Sequence, residues 1–213
     1  CIPGFRFFQM DRSSRLFSDP CTGNPKLEAI ADGAIDIVCA AQQDDGYLDT
    51  YYIINGKDKI FTNLKDHHEL YCMGHLIEGA VAYYEATGKR QIVEKQQLVL
   101  QIMQQLILVR KKENGKGYPG HEIAEMALVR LYEVTGDEKY KKLAEYFVNQ
   151  RGTQPYYFDS EGKVTEKEKK TKIRYQYYQA HLPVREQKNS DGSCCSRRLP
   201  ILWYGRCGKT DRR

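Results

Sequence analysis

Val81-Ala82-Tyr83-Tyr84-Glu85-Ala86-Thr87-Gly88 returns as Val129-Arg130-Leu131-Tyr132-Glu133-Val134-Thr135-Gly136, with Gly136 lying 48 residues beyond Gly88. The valine, tyrosine, glutamate, threonine and glycine recur in register. In each copy an apolar-periodic helix runs into a Thr-Gly stop, and a second amphipathic helix follows. Helical hairpins repeated at this period build solenoids or, when they close on themselves, α/α toroids. A tetratricopeptide array would show a period of ~34 residues, which is absent. The expected fold class is therefore all-α.

Working outward, the spacing predicts a helix from about Asp66 to Ala86, with Leu70, Met73, Ile77, Ala80, Val81 and Tyr84 on its buried face. A second is expected from about Gln91 to Lys111, a third from about His121 to Val134 and a fourth from about Glu138 to Gln150. Upstream, Leu27, Ile30, Ala31, Ala34, Ile35, Val38 and Cys39 form an apolar stripe on a helix within 19–40. Tyr47 to Ile54 is aromatic and β-branched and reads as extended or looped, with Asn55-Gly56 a hairpin-type turn. The mixed-charge run 162–174 reads as a solvated face. Residues 175–187, aromatic, amide-rich and interrupted by Pro183, suit a loop lining a polar cleft.

Length and composition narrow the functional classes. The 213 residues are 41% apolar and 29% charged, enough for one domain with a core. Mean hydropathy is −0.66 and no apolar run reaches the ~20 residues of a membrane span. The net charge of +5 sits at the ends. Residues 188–213 hold Lys188, Arg197, Arg198, Arg206, Lys209, Arg212 and Arg213 against Asp191 and Asp211, so the body is near neutral. That is not the footprint of a nucleic-acid groove. Seven cysteines without C-x-x-C spacing argue against a disulfide scaffold and a zinc ribbon. The chain opens at Cys1 with no charged-then-apolar leader, so a truncated start and a cytoplasmic location are expected.

Five histidines are candidates for chemistry. His68 is expected near a helix start, and His75 follows seven residues later on a similar face. H-E-x-x-H is not formed, because Cys72 occupies its last position. His121, after Gly117-Tyr118-Pro119-Gly120, is expected to open a helix, where the helix N-terminus favours a neutral imidazole. The alternative for both is a histidine simply hydrogen-bonded at a helix start. Asp45, Asp49, Glu69, Glu78, Glu122 and Glu125 could supply a glycosidase carboxylate pair, but spacing assigns none. Cys194-Cys195 has no His or Glu spaced to help it form a metal site or an activated nucleophile.

Ordered segments along residues 19–187 resemble one family. They are Ala40 to Tyr52, Asn63 to Glu78 (with Asp66-His67-His68-Glu69), Gly117-Tyr118-Pro119-Gly120-His121-Glu122, Tyr156-Tyr157-Phe158, Gln179-Ala180-His181 and Pro183-Val184-Arg185-Glu186-Gln187. Together they resemble the N-terminal half of the catalytic domain of bacterial glycoside hydrolase family 127, the β-L-arabinofuranosidases. The resemblance implies a partial (α/α)6 barrel of the six-hairpin glycosidase type. It also implies a retaining hydrolase of terminal β-L-arabinofuranosides in arabinose-containing glycans. His68 and His121 match family histidines that bind the sugar; His67, His75 and His181 are weaker candidates.

The family's cysteine nucleophile, its zinc ligands and its acid/base glutamate belong to chain beyond the last matching residue. No catalytic residue, metal ligand or cofactor is therefore expected in this chain, and Cys194-Cys195 comes too early to be the family's cysteine pair. Residues 1–18 and 188–213 look foreign to the family. Reverse-translated and read in shifted frames, both ends permit family-like runs, so frameshifts are expected to bound the reading frame. The expected function is that of a glycosidase fragment without hydrolysis of its own. The alternatives are a non-catalytic helical-repeat carbohydrate-binding or scaffold protein, or a related α/α-toroid glycosidase acting on another sugar. A partial ring also implies helix faces left uncovered.

Overall fold

The computed structural model describes residues 25–94, 117–159 and 172–187; for 172–174 only the backbone is described. Helices α1 (Pro25–Ala41), α2 (Thr50–Asn55), α3 (Glu69–Thr87), α4 (Ala124–Thr135), α5 (Glu138–Gln150) and α6 (Lys172–Tyr177) follow in order, with short 3-10 turns at Lys57–Lys59, Tyr157–Asp159 and Val184–Glu186. No strand occurs among the described residues, and none of their helices is long and apolar enough to cross a membrane. The predicted helix over 91–111 is described only at its start, where residues 91–94 are helical. The charge run before Lys172 and both chain ends lie outside the described residues.

The repeat is a repeated helix stop. Gly88 and Gly136 adopt φ +73° and +72°, and their N–H groups donate to the carbonyls of Tyr84 and Tyr132, each at 2.8 Å. The preceding threonines make the same bond in both copies. Thr87 Oγ1 donates to Tyr83 O and Thr135 Oγ1 to Leu131 O, each at 2.7 Å. A left-handed residue is cheap only for glycine, so the Thr-Gly pair ends each helix at the same place. Val81 and Val129 sit in the core above these stops.

Helices α3 and α4 lie side by side in the same direction. Near their N-terminal ends they approach so closely that a Cβ on Gly74 would stand 2.8 Å from the Ala124 nitrogen. Toward their C-terminal ends Arg130 pairs with Glu78 and Glu85, at 2.7 Å each. Helix α5 then returns against α4, its start capped by Asp137 accepting from Lys139 N at 3.0 Å. Its apolar face of Tyr140, Leu143, Ala144, Phe147 and Val148 is buried, as the spacing predicts. Parallel neighbours with antiparallel returns are the layout of an α/α ring.

Several expectations are corrected. Residues 50–55 are helical, not extended, because Asp49 caps the turn by accepting from Tyr51 N at 2.9 Å and Asn55 Nδ2 donates to Tyr51 O at 2.7 Å. Asn55-Gly56 therefore ends a helix and turns no hairpin. Helix α3 begins at Glu69 rather than Asp66, since Asn63 Oδ1 accepts from Asp66 N at 3.0 Å and holds a turn there. Helix α4 begins at Ala124, three residues after His121. The stripe on α1 is only partly used: Ala31, Ile35, Val38 and Cys39 pack on the core, whereas Leu27 is 44% and Ile30 68% exposed.

Gly152, just past α5, has φ +78°, and a Cβ there would overlap the backbone of Leu182 and stand 2.7 Å from Pro183 N. Gly88 shares the positive φ but faces open space. Gly88→Ala is expected to cost about 1–2 kcal/mol from the backbone alone. Gly152→Ala must also push the 182–183 segment away and is expected to cost about 2–4 kcal/mol. Urea unfolding of the two variants side by side checks this ordering; equal losses would refute it.

Candidate functional site

His68 is the residue immediately before α3, and His121 lies in the turn before α4. Because α3 and α4 run in parallel, these two approaches meet at one end of the helix pair. The imidazole centroids are 5.4 Å apart. Tyr71, one turn into α3, faces both rings at 5.7 and 5.9 Å. From the other side Tyr177 and Tyr178 approach His121 at 5.2 and 5.4 Å. Tyr178 Oη donates to Asp66 Oδ1 at 3.1 Å, which ties this wall to the approach to α3.

The backbone fit at this end is tight. Gly120 N donates to Leu64 O at 2.9 Å, and a Cβ on Gly120 would overlap the Lys65 carbonyl. The 64–68 and 117–121 segments can therefore lie in contact only with glycine at 120, and this contact brings His121 to His68.

Arg151, which caps the end of α5, is 1% exposed and holds the far side of the turn. Its Nη2 donates to Pro119 O at 2.9 Å and to Glu125 Oε1 at 2.8 Å, and its Nη1 to Tyr178 O at 2.9 Å. Its Nε stands 3.4 Å from Glu122 Oε1, and its guanidinium lies 5.1 Å from the Tyr118 ring centroid. One guanidinium thus meets two buried carboxylates. Burial pushes the Glu122 carboxyl up to about 8; Arg151 opposes that and Glu125 adds to it. The physical reading is one ion pair, Arg151–Glu125, beside a protonated Glu122.

His121 is held neutral. Burial lowers its imidazole to about 4, with the neighbouring His68 and Arg151 adding to the effect. Its Nδ1 is buried without a hydrogen-bond partner among the described residues. A neutral imidazole offers one donor and one acceptor, the pair a sugar hydroxyl can satisfy. Aromatic faces beside it suit the apolar C–H faces of a carbohydrate ring.

The other sequence candidates have structural partners. His67 Nδ1 is bonded to Tyr52 Oη. His75 is buried against Tyr71, with ring centroids 4.7 Å apart, and at His181 it is the backbone carbonyl rather than the imidazole that accepts from Tyr156 Oη at 3.0 Å. Asp45 and Asp49 accept from backbone N–H groups, Glu69 from Tyr47 Oη and Phe61 N, and Glu78 pairs with Arg130. Glu122 and Glu125 both meet Arg151.

The described residues show no ligand set for the zinc that the family resemblance implies. Among the described residues no three of His, Cys, Asp and Glu converge. Burial, with Asp49 and Glu69 nearby, pushes the Cys72 thiol up to about 11, away from the thiolate form a metal ligand needs. Cys194-Cys195 lies outside the described residues. Arg151 and Tyr71 were not singled out by the sequence. Tyr177 and Tyr178 fall in the segment read as lining a cleft, although part of that segment is the short helix α6.

Paired helices in ring-like order, with imidazole and tyrosine rings gathered at one end of the pair, define an α/α-hairpin protein. Residues 18–200 match the family "Beta-L-arabinofuranosidase, GH127 catalytic domain", and the chain belongs to it. It is 36% identical over 179 residues to a non-reducing end β-L-arabinofuranosidase of Bifidobacterium longum subsp. longum, covering 79% of this chain and 27% of that protein. Its fold is similar to the crystal structure of a GH127 β-L-arabinofuranosidase from Geobacillus stearothermophilus T6, with TM-score 0.78 and 40% identity over 96% of this chain and 32% of that one. A second GH127 β-arabinofuranosidase structure is similar at TM-score 0.62 and 29% identity, covering 93% of this chain and 31% of that one. The helices are thus those of a partial α/α barrel, and the chain spans about a quarter to a third of the length of these relatives.

Proposed function

We propose that this chain forms the sugar-holding wall of a β-L-arabinofuranosidase site and binds a terminal L-arabinofuranose residue without cleaving it. His68 and His121 hydrogen-bond the sugar hydroxyls, and Tyr71, Tyr177 and Tyr178 flank the ring. This reading gives the chain binding alone and assigns it no acid/base, nucleophile or zinc. The observation that carries this reading is the meeting of two histidines distant in sequence, 5.4 Å apart, one of them neutral and with a nitrogen that has no hydrogen-bond partner among the described residues.

Calorimetry with methyl β-L-arabinofuranoside tests it. The chain is expected to bind, and His68→Ala and His121→Ala are each expected to weaken binding roughly tenfold, as for one lost hydrogen bond. An aryl β-L-arabinofuranoside is expected to release no phenol. Binding untouched by both substitutions, or turnover that a chelator abolishes, would overturn the reading.

A further inference from the structure

We infer that Arg151 is a positioning residue of this site: it joins the backbone before His121 to the backbone of Tyr178 and so holds the imidazole against the Tyr177–Tyr178 wall. The inference rests on the proposed sugar-binding role of His121. The two walls come from different parts of the chain. One is the 117–121 turn before α4 and the other is the turn after α6, and the guanidinium meets both at 2.9 Å, through the carbonyls of Pro119 and Tyr178. A weaker contact of 3.4 Å reaches Gly120 O, the carbonyl immediately before His121.

The planar fork is what makes this bridge possible. Its nitrogens point in fixed, divergent directions, so one side chain can donate to two backbone segments and to Glu125 at once. A lysine in the same place keeps the charge but concentrates its donors on one atom. Glu125 fixes the rotamer by accepting from Nη2, and the Tyr118 ring lies against the guanidinium. Arg151 touches neither imidazole by any hydrogen bond and acts on His121 through the backbone. The groups facing His121 are His68 and Tyr71 from the α3 side, Tyr177 and Tyr178 from the α6 side, and the Arg151 charge behind the turn. Asp66 stands one hydrogen bond further on, through Tyr178.

The test is Arg151→Lys in the full chain, followed by NMR and calorimetry. The variant is expected to remain folded, with the amide signals of α3, α4 and α5 retained. The nuclear Overhauser contacts between the His121 ring and the Tyr177 and Tyr178 rings are expected to vanish. Affinity for methyl β-L-arabinofuranoside is expected to fall roughly tenfold or more, with His121→Ala adding little in the Arg151→Lys background. A folded variant that keeps the ring contacts overturns the inference. So does global unfolding of the variant, which would make Arg151 a core residue only. A wild-type chain that shows the ring contacts but does not bind the glycoside overturns the sugar-binding reading instead, and the ring contacts then decide the role of Arg151 alone.

Discussion

Replacing Arg151 by methionine is expected to destabilise the chain by about 3–5 kcal/mol, the range for removing one partner of a buried ion pair. Methionine fills a similar volume, so the loss is electrostatic. Glu125 would be left buried without its counter-charge, and the carbonyls of Pro119 and Tyr178 would lose their donor. For a chain of this size the loss corresponds to a drop in Tm of roughly 6–20 °C. Thermal unfolding followed by circular dichroism reads it directly. The contrast is Lys89, which pairs with Glu28 and Asp32 on the surface at 2.8 and 2.7 Å. Water and salt screen that pair, so Lys89→Met is expected to leave the melting curve nearly unchanged. Similar shifts for the two variants would refute the assignment of Arg151 as the buried electrostatic centre.

Glu122→Gln is expected to stabilise the chain at neutral and alkaline pH, by an amount on the order of several kcal/mol near pH 8. The folded state holds the Glu122 proton up to about pH 8, whereas the unfolded chain releases it near 4.5. Its contribution is therefore complete below pH 4.5 and is lost as pH rises through 8. Glutamine mimics the protonated acid and removes that loss. His121 acts in the opposite direction. Its folded-state value near 4 lies below the ordinary 6.5, so its contribution is complete above pH 6.5 and is lost as pH falls through 4. The two slopes oppose one another between about 4.5 and 6.5, and stability should be greatest there. Chemical denaturation across pH 4–9 tests this. Stability that rises steadily from pH 6 to pH 8, or a Glu122→Gln variant that tracks the wild type, would show that Glu122 ionises as an ordinary carboxylate.

Much of the helix layout was legible because helix signals are short-range. The Thr-Gly stops at 88 and 136 depend on a residue that tolerates positive φ and on a hydroxyl reaching back four residues, all contained in the repeat itself. The predicted span of α5, about Glu138 to Gln150, matches the observed helix because Asp137 and an unbroken apolar period mark it locally. The misreadings arose where a local propensity was overruled. Tyr51, Tyr52, Ile53 and Ile54 favour extended structure, yet the Asp49 cap and burial of Tyr52 make them a turn of helix. The α1 stripe predicts burial for Leu27 and Ile30, but burial depends on what lies opposite, and both remain exposed.

Periodicity and caps, acting over four residues or fewer, were enough to establish paired helices, and the ordered motifs were enough to recognise the family. Those motifs also nominated His68 and His121, but no local pattern could say that their rings lie 5.4 Å apart. That nearness depends on two helices running in parallel and on the absence of a side chain at Gly120. The neutral state of His121 and the role of Arg151 are likewise products of packing. The partners of Arg151 lie 26 to 32 residues away along the chain. Burial also favours the protonated form of Glu122, because desolvation penalises its charge and the guanidinium reaches it only at 3.4 Å.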